Sequence, residues 1–207
     1  MKKYVIMMKY TEDTEENLTR GDIAMLTKTQ TAGKLSLLGL HQHLNSAMRA
    51  CVSWASIEEH DKILDMSCGN GNILFYLNDQ LRLTLCGMCD SADQARMVSD
   101  MLDGADVVPA RMEDIPWRDD TFDEVLLSSP MKGDAQRVLA EVLRVLHAGG
   151  QFIMASSVFS SRSEGDLSRR ELMRLMQETG FREVSFRASG LFGAIVGWKK
   201  GKVDELK

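Results

Sequence analysis

Basic charge is scarce in this chain. Its 25 lysines and arginines are outnumbered by 30 acidic residues, leaving a formal net charge of -5 over 207 residues. A protein that tracks nucleic-acid phosphates normally presents a basic face, so this balance argues against a nucleic-acid partner. Long hydrophobic runs are missing as well. No apolar stretch approaches the roughly 20 residues needed to cross a bilayer, and no membrane association is expected. The chain opens on two lysines and a brief apolar run, MKKYVIMM. That run is shorter than the ~7–15-residue core of a signal peptide, and acids follow where a small-residue cleavage site would lie. A cytoplasmic protein is expected.

Cysteine is limited to Cys51, Cys68, Cys86 and Cys89. The CGMC at 86–89 has the C-x-x-C spacing of metal and redox sites, but a second C-x-x-C and a histidine pair at metal spacing are both absent. It also lies in a stretch that reads as a strand, where residues i and i+3 point to opposite faces. Buried reduced thiols are expected, and no metal site. No repeat or low-complexity block interrupts the chain.

What is present is an ordinary globular composition, 44% hydrophobic and 27% charged, on a chain long enough for a substantial core. From about residue 60, apolar strands alternate with amphipathic helices, the pattern of a parallel sheet covered on both faces. Strands are predicted at KILDM (62–66), LTLCGMCD (83–90), ADVVPA (105–110), DEVLLSS (123–129) and QFIMASS (151–157). Pro109 requires the end or edge of its strand.

Between them, ILFYL (73–77) opens one helix, and Ser91 with Gln94 reads as the capping box of another. Met97, Val98, Met101 and Leu102 would form that helix's buried stripe. DAQRVLAEVLRVLHAGG (134–150) reads as a helix stopped by Gly149-Gly150, with His147 complementing the dipole in its last turn. Ser168 with Glu171 caps the next helix, which Gly180 ends. The last strands, REVSFRA (182–188) and LFGAIVGWKK (191–200), are too close in sequence for a parallel crossover and must pair antiparallel. Residues 1–58 read as an N-terminal helical lid that docks on the 59–207 core. Leu40, Leu44, Met48 and Cys51 would share one helix face there.

The chemistry concentrates in ILDMSCGNGN (63–72). In an open parallel sheet, ligands bind beyond the carboxyl ends of the strands. Gly69 and Gly71, following such an end, permit positive φ and a close backbone approach to a ligand. Asp65 is placed to accept from a cationic or hydroxyl-bearing group. The next strand also ends in an acid, Asp90, the position that grips ribose hydroxyls in dinucleotide folds. A pyrophosphate ligand wants G-x-G-x-x-G. D-x-S-x-G-x-G lacks the third glycine, and its acid would repel phosphate while suiting an ammonium group, which counts against a nicotinamide-dependent oxidoreductase.

Residues 60–155 resemble a class I S-adenosylmethionine-dependent methyltransferase of the small methyltransferase-domain, ubiquinone-biosynthesis-like group. The carriers are ILDMSCGNGN, CGMCDSADQARMV, ARMEDIPWRDDTFDEVLLSS and VLAEVLRVLHAGGQFIMAS, in that order. The resemblance implies a Rossmann-like, doubly wound, mostly parallel seven-stranded sheet with an antiparallel last strand and N-terminal helices. It also implies S-adenosyl-L-methionine as cofactor. Asp65, Ser67, Cys68, Gly69, Asn70 and Gly71 would hold the methionine end, Asp90 and Ser91 the ribose, Met112 and Glu113 the adenine. Ser128 would lie near the transferable methyl. Ser67 stands where that family usually has its first glycine, and Arg111 where an acid is common.

Methyl transfer to a small-molecule acceptor is the expected activity, with a non-catalytic cofactor-binding domain as the alternative. Where the acceptor must lose a proton, His41 and His43 are the candidate bases, because histidine titrates near neutrality.

Overall fold

A computed structural model describes residues 44–78, 81–157, 167–189 and 192–201. His41, His43 and Leu40, for which roles were expected, lie outside these residues. The first described helix, α1 (Ser46–Trp54), is capped by Asn45, whose side chain accepts from the Met48 amide. Leu44 therefore precedes this helix rather than riding on it. The predicted alternation follows: β1 (Lys62–Asp65), α2 (Asn72–Asn78), β2 (Thr84–Cys89), α3 (Ala92–Met101), β3 (Asp106–Pro109) and β4 (Phe122–Leu127). Then come α4 (Ala135–Val145), β5 (Leu146–Ser157), α5 (Arg169–Thr179), β6 (Arg182–Ser189) and β7 (Phe192–Trp198).

The strands form one seven-stranded sheet in the order β3-β2-β1-β4-β5-β7-β6. β1 to β5 run parallel, while β7 is antiparallel to both β5 and β6. The order reverses direction between β1 and β4, making a topological switch point at their carboxyl ends. Pro109 ends β3, an edge strand, where its missing N–H costs no ladder bond. No described helix is long and apolar enough to cross a membrane.

Strand periodicity divides the core in two. Ile63, Leu85 and Cys89 join Cys51, Leu74, Val98 and Val196 in one cluster, with α1, α2 and α3. Leu64, Cys86 and Met88 point the other way and pack with Val138, Val142, Met176 and Phe181 of the α4–α5 side. Cys86 and Cys89 thus face opposite sides of the sheet, as strand geometry requires.

Three local expectations are corrected. The helix after Asp134 ends at Val145, and residues 146–150 belong to β5. Leu146 pairs with Phe122, and the register then shifts before Gln151 pairs with Glu124. Gly149, at φ +89, and Gly150 build that irregularity rather than stopping a helix. A Cβ on Gly150 would stand 2.9 Å from the Asp123 carbonyl oxygen. His147 is consequently an exposed strand residue, not a helix-end cation.

On α3 the buried stripe is Ala95, Val98 and Leu102, while Met97 and Met101 are 40% and 48% exposed. The sheet meets a narrower arc of this helix than its apolar residues span. Finally, Ser91 caps α3 by accepting from the Gln94 amide at 3.3 Å, whereas the full reciprocal box is recorded at Ser168 and Glu171.

Candidate functional site

β1 and the turn after it leave the sheet without breaking their hydrogen bonds. The Met66 amide donates to the Leu126 carbonyl of β4 at 2.9 Å, and the Cys68 amide to the Met88 carbonyl of β2 at 3.0 Å. The turn is thus pinned between its two neighbouring strands. Gly69 (φ +51) and Gly71 (φ +80) both occupy the left-handed region. Their roles differ. A Cβ on Gly71 would come within 2.8 Å of Val98 and 2.9 Å of the Phe75 ring, so that glycine permits helix packing. At Gly69 the nearest atom is the Ser67 carbonyl oxygen at 3.9 Å, leaving its face open. Asn70 is exposed on the same turn.

Asp65 is 1% exposed, and its Oδ1 accepts from the Ser67 amide at 3.0 Å. Burial pushes its pKa up to about 7, and the Ser67 amide only partly opposes that shift. A cation brought to this carboxylate would restore its charge. Beside it, the Ser67 and Ser128 hydroxyls lie 3.3 Å apart, and the Ser128 amide donates to Ser67 Oγ. The tips of β1 and β4 are joined through this pair.

Asp90 follows β2 and is exposed. Both its oxygens accept from Lys132 Nζ, at 2.9 and 2.7 Å. Lys132 lies on the loop after β4, a contact across 42 residues that no local spacing announces. Asp90 and Lys132 line a cavity of about 440 Å³ together with Met66, Pro109, Ala110, Met112 and Glu113. Glu113 borders this cavity, but its carboxylate is already engaged. It pairs with Arg111 and accepts from the Asp134 amide at 2.8 Å. Those donors, the Asp134 amide foremost, hold its pKa below the usual range. A smaller cavity of about 120 Å³ adjoins, between Ser67 and Gly69 on one side and Met88, Cys89 and Asp90 on the other. Ser91 lines neither cavity, being committed to its helix cap.

The expectation of reduced thiols in CGMC holds for Cys86 and is corrected for Cys89. Cys68, in the glycine turn, and Cys89, at the tip of β2, form a disulfide. Their separation of 21 residues matches no motif spacing, so nothing local signalled the pair. Cys51 and Cys86 are free and buried.

Residues 64–154 match the family model described as a methyltransferase domain. The putative methyltransferase YrhH of Bacillus subtilis is 26% identical over 136 residues, covering 62% of this chain and 73% of that protein. The ubiquinone/menaquinone biosynthesis C-methyltransferase UbiE of Xanthomonas oryzae pv. oryzae is 28% identical over 127 residues. That match covers 56% of this chain and 49% of UbiE, so the chain spans about half the length of that relative. These matches support a class I S-adenosylmethionine-dependent methyltransferase domain over residues 64–154.

Such a domain is enzymatic and uses S-adenosylmethionine. Among solved structures, the (4+2)-cyclase SpnF superposes with a TM-score of 0.64 at 14% identity, over 74% of this chain and 80% of that one. That likeness is one of fold. Several features of the methyltransferase domain suit its cofactor. Asp65 is a buried carboxylate with its charge suppressed, Gly69 presents an open backbone face, and an adjoining cavity is bordered by an accessible acid.

Proposed function

We propose that the chain transfers the methyl group of S-adenosylmethionine to a small-molecule acceptor by in-line displacement. The observation that carries this reading is the cavity at the switch point, whose volume falls within the ~300–1,000 Å³ of small-ligand sites. When bound, the cofactor supplies an electrophilic methyl on a sulfonium, so the protein's work is orientation and exclusion of water.

Asp65 would accept the cofactor's ammonium group, and the open face of Gly69 would lie along its amino-acid end. Asp90 would take the ribose hydroxyls. Its exposed ion pair with Lys132 is of a kind worth only ~0–1 kcal/mol, so exchanging Lys132 for hydroxyl donors costs little. Met112 and Ala110 would flank the adenine. Ser67 and Ser128 would sit nearest the methyl, with Cys68 and Asn70 shaping the turn and Ser91 acting through the helix cap.

A small acceptor is supported by the acidic charge of the chain and by the similarity to UbiE, a C-methyltransferase of ubiquinone/menaquinone biosynthesis. A base is needed only where that acceptor must lose a proton, and His41 and His43 are the candidates. Calorimetric titration of the reduced protein with S-adenosylmethionine and S-adenosylhomocysteine, with NAD as control, tests the reading. Micromolar binding of the adenosyl pair alone is expected. Absence of binding under reducing conditions would refute it, and binding without turnover across acceptor panels would favour a non-catalytic domain.

A further inference from the structure

The cleft contains a sulfur couple that methyl transfer does not use. Cys68 lies between Ser67 and Gly69 in the glycine turn, and Cys89 immediately precedes Asp90. Their Cα atoms are 5.7 Å apart, within the range a disulfide spans. The bond therefore ties the wall proposed for the methionine end to the wall proposed for the ribose. Between those walls the slot measures about 120 Å³ and adjoins the larger cavity, with Cys89 and Asp90 bordering both.

No other described thiol competes for either sulfur. Cys86 packs on the opposite face of the sheet, and Cys51 is fully buried with its thiol donating to the Leu127 carbonyl at 3.3 Å. Burial raises the pKa of both, that of Cys86 to about 11, which suppresses the thiolate that disulfide exchange requires.

Resting on the methyl-transfer reading, we propose that Cys68 and Cys89 are a reversible redox modification site governing the cofactor slot. The disulfide form binds the adenosyl cofactor weakly, and the dithiol form binds it well. Two thiols cannot approach as closely as two bonded sulfurs, so reduction makes the Cys68 and Cys89 side chains rotate apart, which reshapes the slot while the backbone bond from the Cys68 amide to Met88 persists. Cys89 lines both cavities and is the sulfur that a small dithiol reaches.

A thiolate of that reductant attacks Cys89 Sγ and breaks the Cys68–Cys89 bond, and Cys68 leaves as a thiolate that takes up a proton. The reductant's second thiolate then displaces Cys89, which is protonated in turn. Two electrons have passed to the protein, and the reductant departs as its own disulfide.

Thiol trapping and titration of the same samples test the proposal. The whole chain is treated with reduced dithiothreitol or with the thiol oxidant diamide, acid-quenched, denatured, labelled with N-ethylmaleimide and digested. Cys68 and Cys89 should both be labelled after reduction and recovered as one cross-linked peptide after oxidation, with Cys51 and Cys86 labelled in both samples. S-adenosylhomocysteine should bind the oxidised sample at least roughly tenfold more weakly. Cys89→Ser should show one affinity under both conditions, whereas Cys86→Ala should retain the difference.

Labelling of Cys68 and Cys89 after oxidation, or equal or tighter binding by the oxidised protein, overturns the proposal. Trapping makes no reference to the cofactor. Failure of the methyl-transfer reading would instead appear as no binding in either state with the cross-link intact, and the affinity claim would fall with it.

Discussion

Asp90 answers to two partners, one present in the structure and one proposed. Lys132 holds both its oxygens at the cavity rim, and the cofactor's ribose would claim the same oxygens. An exposed ion pair yields readily, whereas hydrogen bonds from hydroxyls to a charged acceptor are worth ~1.5–3 kcal/mol. Asp90→Ala should therefore weaken S-adenosylmethionine binding by more than about tenfold in calorimetry. Unchanged affinity would mean that the ribose is held elsewhere. The acid itself was legible, as the residue ending the next strand 25 residues after Asp65. Lys132 was not, because a contact between loops on different strands leaves no periodic trace. Glu113 borders the cavity with its carboxylate committed to Arg111 and the Asp134 amide, and the contact with Asp134, 21 residues on, likewise leaves no periodic trace.

Among the elements, the turn at 115–117 shows how the cavity wall is braced from behind. The Ile115 amide donates to Glu141 of α4 at 2.9 Å, and Arg144 donates to the carbonyls of Ile115 and Trp117, each at 2.8 Å. Arg144 is itself held by Glu141 and Asp119, which raises its pKa, the Glu141 hydrogen bond most of all. The Trp117 ring meets Phe122 edge-on with centroids 5.5 Å apart. Arg144→Ala would strand two carbonyls and a half-buried carboxylate. It should cost about 2–4 kcal/mol in denaturant unfolding, through loss of charge-assisted hydrogen bonds. A change under about 0.5 kcal/mol, the usual surface value, would show that the turn is held by packing alone.

Helix α4 also shows where local signals stop. Its buried face of Val138, Leu139 and Val142 was readable from 3.6-residue periodicity. Its end was not, because Gly149-Gly150 serves a sheet irregularity whose partner, Phe122 and its neighbours, lies over 20 residues earlier.

For the molecule as a whole, two buried carboxyls set the dependence of stability on pH. Burial pushes the Asp65 pKa up to about 7. That of Glu124 is also well raised, by burial and then by the neighbouring Asp61 and Asp123 charges. Its Oε2 is buried and finds no hydrogen-bond partner among the described residues. In the unfolded chain both would titrate near pH 4. The folded protein therefore binds more protons across this interval, so stability falls as pH rises. Glu141 and Glu113 act oppositely, but their lowered pKa values confine that effect to more acidic solution. Urea unfolding should give a stability lower at about pH 8 than at about pH 5 by roughly 2–4 kcal/mol, and Asp65→Asn should flatten much of the slope. A stability that is level or rising over this interval would contradict the suppressed charge of Asp65.

By itself the sequence determined the alternation of strands and helices, the antiparallel closing pair, the glycine turn and its two acids. Each is written in neighbouring residues, through side-chain periodicity, a short link or a backbone angle that only glycine adopts freely. The tertiary structure alone decided that Cys68 meets Cys89, that Lys132 reaches Asp90, that Gly71 serves packing while Gly69 stays open, and that Met97 and Met101 face outward. These depend on which strands become neighbours and how far apart their tips lie, distances set by the folded sheet and not by position along the chain.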